Sequence, residues 1–451
     1  MASRASPAGA LFAHELRRLL SGRAWWAMLL VMAFLTGYGF VEALRLFGEA
    51  SRTALQAPEL ARGMAPLDGV LVPTLGAYYL GTTLLFPFVA IRALGQDKES
   101  GAMKLVLQWP LPVPVVVAVK LATVGTAWLA GLVVPLSALA LWGFAGGHLA
   151  FAETMNLLAG HALYALAVAG IAFFAASLAE SSATAAIATL AFTLGFWALD
   201  FGATTGPEWL KAAAGVSPTQ ALKQFERGLF SLPHALALIG LGVGLATVAA
   251  LRLPTVLTSF ERGIRTAIGI GILLALLAAA PLAGIYADVS EDRRNGFNPA
   301  DEAALTRMDR GLAITLYLAP EDSRAQEYTA NVLAKLKRVV HALTVRWADT
   351  GKAGLFGAAR EDRYGLVTYD YAGRHAESRS NSPREILPLL HDLAGVKVEP
   401  AAVPPYPGYP LVADPQSAEI WFYGALPVLI LFGAWRSSFG GRRPPHPVPT
   451  R

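Results

Sequence analysis

Asp97, Lys98 and Glu99 are three consecutive ionisable residues standing between two long apolar runs. Gly101 then breaks the chain, a short apolar turn carries Met103, Leu105, Val106 and Leu107, and Pro110, Pro112 and Pro114 follow before Lys120 opens the next run. Adjacent charges of both signs beside leucines suit a protein–protein contact, with charge pairs for register and apolar side chains for area. Little else in the chain could do chemistry. Gly351-Lys352 lacks the upstream glycine and the following Ser or Thr of a phosphate-binding loop. There is no His-Glu-x-x-His or Gly-x-Ser-x-Gly pattern. The absence of cysteine removes disulfides, thiolate ligands and thiol nucleophiles. The eight histidines are scattered. His161 lies one turn inside an apolar run, a position that can carry a proton or substrate role, although a histidine so near a run's end more often bonds a neighbour. Asp200 ends another run and is expected to reach water. No acidic residue sits in mid-run, so a chain of proton carriers is missing.

The elements that must position these residues are membrane-like. The chain is 54% hydrophobic and 15% charged, against about a quarter charged in soluble proteins. A spanning helix needs about 20 apolar residues. Candidate spans are Ala24–Val41, Val70–Ile91 with a kink at Pro87, Leu121–Leu141, Leu157–Leu178, Ala183–Leu199, Leu232–Leu251, Thr266–Ala287 and the shorter Ile420–Trp435. Glu42–Asp68 reads as a polar connection. Ahead of them, residues 1–23 form an amphipathic helix with Phe12, Leu16, Leu19 and Leu20 on one side and His14, Arg17, Arg18 and Ser21 opposite, which suits a membrane surface. Its basic start has no small-residue cleavage site before the next span, so a cleaved signal peptide is not expected.

The expected fold is therefore a polytopic α-helical membrane protein of about eight transmembrane helices, with a small α/β extracytoplasmic domain between the last two. Residues 24–253 hold six spans, 254–287 a linker and the seventh, 288–417 a polar domain, 418–435 the eighth span and 436–451 a basic tail. Ser217-Pro218-Thr219-Gln220 reads as a capping box opening a short helix before the sixth span. In the polar domain, Asn298-Pro299 caps a helix. Leu312–Leu318, Leu343–Trp347 and Tyr364–Tyr371 read as strands, Asp322–Ala342 and Ser382–Leu393 as helices, and Ala401–Pro415 as an extended Pro-rich stretch. Basic residues favour one set of connections and termini (Arg4, Arg17, Arg18, Arg23, Arg92, Lys98, Lys104, Arg252, Arg262, Arg265, Arg436, Arg442, Arg443, Arg451) over the other (Arg45, Arg52, Arg62, Lys211, Lys223, Arg227). That bias puts both termini inside and 288–417 outside. The net charge of +5 is scattered among apolar spans and does not suggest nucleic acid.

The stretch from Glu99 to Lys120 resembles the first cytoplasmic loop of ABC-2-type transporter permeases: Glu99, Ser100, Gly101, Leu105, Leu107, Pro110 and Lys120 match, and Ala102 stands where the family usually has Thr. His14-Glu15-Leu16-Arg17 is similar to the Lys-Glu-Leu-Arg of the family's interface helix. Ser217, Pro218, Phe225, Arg227 and Gly228 resemble the segment before the last span in permeases of the gliding-motility and nitrous-oxide-reductase-maturation type. Val289, Glu291, Asp292, Asn298, Pro299, Ile314–Leu318 and Tyr364-Gly365 resemble the outer domain of the gliding-motility-type auxiliary subunit, here shortened.

The resemblance implies a permease subunit that couples ATP hydrolysis by a separate ABC ATPase to export or membrane remodelling in a bacterial inner membrane. ATP and Mg would sit on that partner; this chain would bind no cofactor or metal and be no enzyme. A second permease copy and membrane lipid are the other partners implied. Asp97, Lys98, Glu99, Gly101, Leu105, Leu107 and Pro110 would form the ATPase-coupling loop, and His14, Glu15, Arg17 and Arg18 would lie on the interface helix. The alternative is a non-transporting inner-membrane scaffold whose outer domain binds a partner; a membrane enzyme has no residue constellation behind it.

Overall fold

The computed structural model describes residues 6–202, 210, 214–215, 217–254, 257–319, 322–348, 363–398 and 406–440. The chain forms two compact units, Met1–Ile285 with Pro407–Arg451, and Tyr286–Tyr406.

The first unit is a helical bundle. α1 (Pro7–Leu20) starts at Ser6, whose hydroxyl accepts from the Gly9 N–H. Eight helices that follow are long and apolar enough to cross a membrane: α2 (Arg23–Ala54), α3 (Leu67–Glu99), α5 (Val113–Phe144), α6 (Phe151–Leu178), α7 (Ser182–Asp200), α9 (Leu232–Arg252), α10 (Ser259–Ala283) and α14 (Gln416–Ser438). Between them lie the short helices α4 (Ala102–Val106) and α8 (Pro218–Glu226). The number of long helices is the one read from the sequence, but several run further than the apolar pattern. α2 continues through Glu42 and Arg45, residues expected in a polar connection. At about 1.5 Å per residue, its 32 residues exceed the roughly 30 Å of a hydrocarbon layer. Hydropathy marks where a helix is apolar, and good helix formers carry it on into polar sequence. α3 breaks at Leu85, next to Pro87, as that proline's missing N–H requires. α14 has 23 residues, longer than its 16-residue apolar core, and packs on α2, where Gly37 faces the Phe422 ring and Gly433 the Trp26 ring.

Small residues let the bundle close. A Cβ on Gly170 of α6 would lie 2.2 Å from the Gly242 carbonyl oxygen of α9, so the two backbones touch at that crossing. Ser217 precedes α8 as expected, yet its side chain makes no capping hydrogen bond, so the capping box is not formed. Thr258 instead forms a complete one with Glu261 at the start of α10.

Pro407–Pro415 belongs to this unit and not to the polar domain in which the sequence placed it. The Tyr409 N–H bonds the Met64 carbonyl at 2.9 Å, the Leu411 N–H bonds Ser51 Oγ at 2.9 Å, and the Tyr409 ring stacks on His148. Composition gives an extended segment; only the neighbouring helices supply acceptors for its N–H groups. Residues 401–405 and the tail beyond Gly440 lie outside the described residues.

The second unit carries α11 (Pro299–Thr306), β1 (Leu312–Leu316), a helix over 323–339 (α12), β2 (Leu343–Trp347), β3 (Val367–Tyr371), β4 (Arg374–Ser378) and α13 (Pro383–Ala394). Asn298 caps α11 through its side-chain oxygen, as expected. The sheet order is β2-β1-β3-β4, with β1 parallel to β2 and antiparallel to β3. Leu312, Ile314 and Leu316 alternate into a core with Tyr328, Leu336, Tyr369, Ile386 and Leu390. The Tyr328 and Tyr369 hydroxyls bond at 2.9 Å in that core, and burial pushes Tyr369 up to about 12. β4 was not expected. It exists because Ala372 and Gly373, both at positive φ, close a two-residue hairpin after Tyr371. Arg374–Ser378 is too polar to show itself as a strand.

Candidate functional site

The tripeptide that the sequence singles out ends α3, and each of its side chains holds a different element. Asp97 is 2% exposed. Its Oδ1 accepts from Arg18 of α1 at 2.5 Å and its Oδ2 from Lys120 of α5 at 2.5 Å. Lys98 Nζ donates to the carbonyls of Ala176, Ser177 and Ala179 at 3.3, 3.0 and 2.6 Å, which caps the C-terminal end of α6. A Glu99 carboxylate oxygen accepts the Ser182 N–H at the start of α7. A cation thus meets the negative end of one helix dipole and an anion the positive end of the next. Together they clasp both sides of the Ala179–Ser181 turn.

This corrects the expectation of a polar loop: Asp97 is buried and Lys98 half-buried, while Glu99 is exposed even as it caps the next helix. Helix α3 continues through them, and their partners lie 78 to 83 positions away for Ala176 and Ser182, and 23 for Lys120. Nothing local to the tripeptide announces those partners.

Around Asp97 the cluster closes on itself. Lys120 has no exposed surface, and its Nζ bonds Glu15 Oε1 at 2.6 Å and the Ala93 carbonyl at 2.7 Å as well as Asp97. Arg18 Nη2 lies 2.7 Å from Glu15 Oε2. Two cations face two buried carboxylates, each carboxylate touching both cations. Burial opposes the charge of Arg18, but its hydrogen bond to Asp97 and the fields of Glu15 and Asp97 outweigh that and hold its pKa above the ordinary arginine value.

α1 therefore packs on the bundle through Leu11 and Glu15, while His14 and Arg17 are exposed. The helical pattern put the hydrophobic stripe nearby but gave no reason to bury an acid. The sequence pattern puts Lys120 at the opening of a span, whereas α5 starts at Val113 and holds Lys120 inside it. A cleft of about 150 Å³ opens beside the cluster between Arg18, Trp25, Val89, Arg92 and Gln96.

The outward part of this region comes after Gly101, which takes φ +76 and turns the chain. In α4, Met103 points inward, while Lys104 and Leu105 face out, Leu105 at 65% exposure. Leu107 is partly buried against the bundle; Trp109 and Pro110 are exposed. Of the expected coupling residues, Glu99, Leu105 and Pro110 therefore face outward, Lys98 and Leu107 in part, and Asp97 is buried, while Asp97, Lys98 and Glu99 each bind another helix.

At the opposite end of the bundle, His161 is buried, with Nε2 3.8 Å from Glu226 Oε1 of α8. Asp200, expected to reach water, is 6% exposed and lies near Lys223. Among the described residues no group of three or more His, Asp or Glu could hold a metal ion.

Comparison of the chain with protein-family models, with curated proteins and with solved structures finds no match.

Proposed function

We propose that this chain is the membrane-spanning permease subunit of an ATP-driven ABC-2-type transporter, moving its substrate or remodelling the membrane when a separate ATPase hydrolyses ATP. The resemblance of Glu99–Lys120 to the family's first cytoplasmic loop motivates the reading. The observation that carries it is the junction at the end of α3. There one tripeptide joins α1, α5, the end of α6 and the start of α7, with an outward-facing short helix immediately after it.

In this reading α4 is the contact for the ATPase. Leu105 supplies the apolar anchor, Lys104 and Trp109 flank it, and Asp97, Lys98 and Glu99 pass its displacement to four other helices. Coupling needs such a contiguous, rigid connection between the pushed element and the moving ones. The eight long helices cross the bacterial inner membrane, with α1, α4 and the C-terminus cytosolic and the α/β unit outside.

The test is affinity purification of the full chain from its native membrane, with ATPase activity measured in the eluate. An ATP-hydrolysing subunit should accompany the wild type and be lost with Leu105→Asp at unchanged chain yield. Recovery of no ATPase with the wild type would favour the scaffold reading, which rests on the α/β unit having a hydrophobic core of its own.

A further inference from the structure

We propose that Arg252 and Arg262 form a binding site for a phosphate group, carried on the headgroup of an anionic lipid or free in solution. Arg252 is the last residue of α9, and Arg262 lies near the start of α10. The Arg252 Nη1–H bonds Thr266 Oγ1 at 2.6 Å, and that hydroxyl donates to the Arg262 carbonyl at 2.7 Å, so the two arginines share one short connection. Each repels the other, and both repel Lys98.

Among the described residues none of the three cations forms an ion pair with a carboxylate; Glu180 attracts Lys98 only at longer range. Glu261, beside Arg262, is engaged by the Thr258 N–H and hydroxyl.

The distinctive observation is what the two guanidinium groups lack. The Nε atoms of Arg252 and Arg262 are both out of contact with solvent and find no hydrogen-bond partner among the described residues. A buried donor left unsatisfied is costly, more so on a charged group. A solvated basic face would leave those atoms wet, so a plain surface charge run does not account for them. Nor does the helix dipole: it favours Arg252 at a C-terminal end but opposes Arg262 at an N-terminal one. A single anion would reverse both penalties.

Phosphate fits better than a carboxylate because its several acceptor oxygens can meet two guanidinium forks from different directions. Lys98 adds field but no donor, since its three N–H groups are already used by the α6 carbonyls. All three cations stand at the same end of the helical bundle, where the headgroups of a bilayer lie when these helices span. The site does not depend on the transport reading.

The test uses the full chain purified in a neutral detergent, with its melting temperature followed as phosphatidylglycerol, phosphatidylcholine or inorganic phosphate is added. Phosphatidylglycerol should stabilise the wild type saturably, and phosphatidylcholine should not. Arg252→Gln and Arg262→Gln should each weaken the apparent affinity by roughly fivefold. Arg262→Lys, which keeps the charge but loses the fork, should also weaken it. Arg310→Gln, in the α/β unit, should leave it unchanged. If millimolar inorganic phosphate abolishes the lipid effect, the site reads the phosphate group from solution; if it does not, the site belongs to lipid. Wild-type affinity in both arginine-to-glutamine variants would overturn the proposal, as would equal stabilisation by phosphatidylcholine.

Discussion

Lys120 Nζ lies 2.5 Å from Asp97 Oδ2, and neither side chain reaches solvent to more than 3%. A lysine that enters the bundle this deeply is stable only as part of a closed set of charges, here with Glu15 and Arg18. Breaking a buried pair from one side costs about 3–5 kcal/mol, because the abandoned charge remains. Lys120→Met should therefore lower the melting temperature in detergent sharply. Lys120→Met combined with Asp97→Asn should recover much of that loss. Equal melting of the single variant and wild type would mean that the cluster is solvated.

Glu99→Lys separates folding from docking. The Glu99 carboxylate sits at the N-terminal end of α7, and lysine there would meet the positive end of the dipole. We expect a less stable bundle and increased proteolysis at the Ala179–Ser181 turn. Leu105→Asp, in contrast, should leave the stability within about 0.5 kcal/mol of wild type, as for an exposed position, and act only on partner binding. Reversal of that order would move the docking surface back to the tripeptide.

Gly170→Leu should abolish accumulation of folded protein, since any Cβ there meets the α9 backbone. Gly125→Leu is the control, because its Cβ position is open. Similar yields of the two variants, measured by size-exclusion chromatography of a fluorescent fusion, would contradict the crossing.

The hairpin of the α/β unit carries Ala372 at φ +52, a conformation that costs an alanine about 1 kcal/mol. Ala372→Asn should raise the melting temperature of residues 286–406, because asparagine favours this position of a type I′ turn. No gain would indicate a different turn in solution.

Two histidines of this unit oppose each other in pH. Burial lowers the pKa of His391, against the attraction of Asp301 and Asp392. The unfolded chain then binds more protons below about pH 6.5, so the contribution of His391 is full above that value and falls as pH drops. Hydrogen bonds to Asp370 and Glu377 raise His375, whose contribution is full below about pH 6.5 and lost as pH rises through its folded value. His375 is exposed and solvent screens its pairs, so His391 should dominate. Denaturant unfolding of this unit should show lower stability at pH 5.5 than at pH 7.5, and His391→Gln should flatten the difference. A wild-type profile rising toward acid would reverse the assignment.

Much was legible in the chain alone. Apolar runs marked all eight long helices, the last by a run shorter than a span, because the solvent a helix requires is written in its side chains. Period-two alternation marked β3, a run rich in β-formers marked β1, and Asn298-Pro299 marked the start of α11, because those signals are local. The sequence also singled out Asp97, Lys98 and Glu99 as unusual charges. It could not say whom they meet. Lys120, Arg18, the Ala176–Ala179 carbonyls and the Ser182 N–H become their partners only when α1, α5, α6 and α7 are brought to one end of the bundle. The same holds for β4, which depends on a turn and a neighbouring strand, and for the Pro407–Pro415 strap, which depends on acceptors from residues 51 and 64. Burial of a charge is a property of the neighbours that surround it, and tertiary packing alone chooses them.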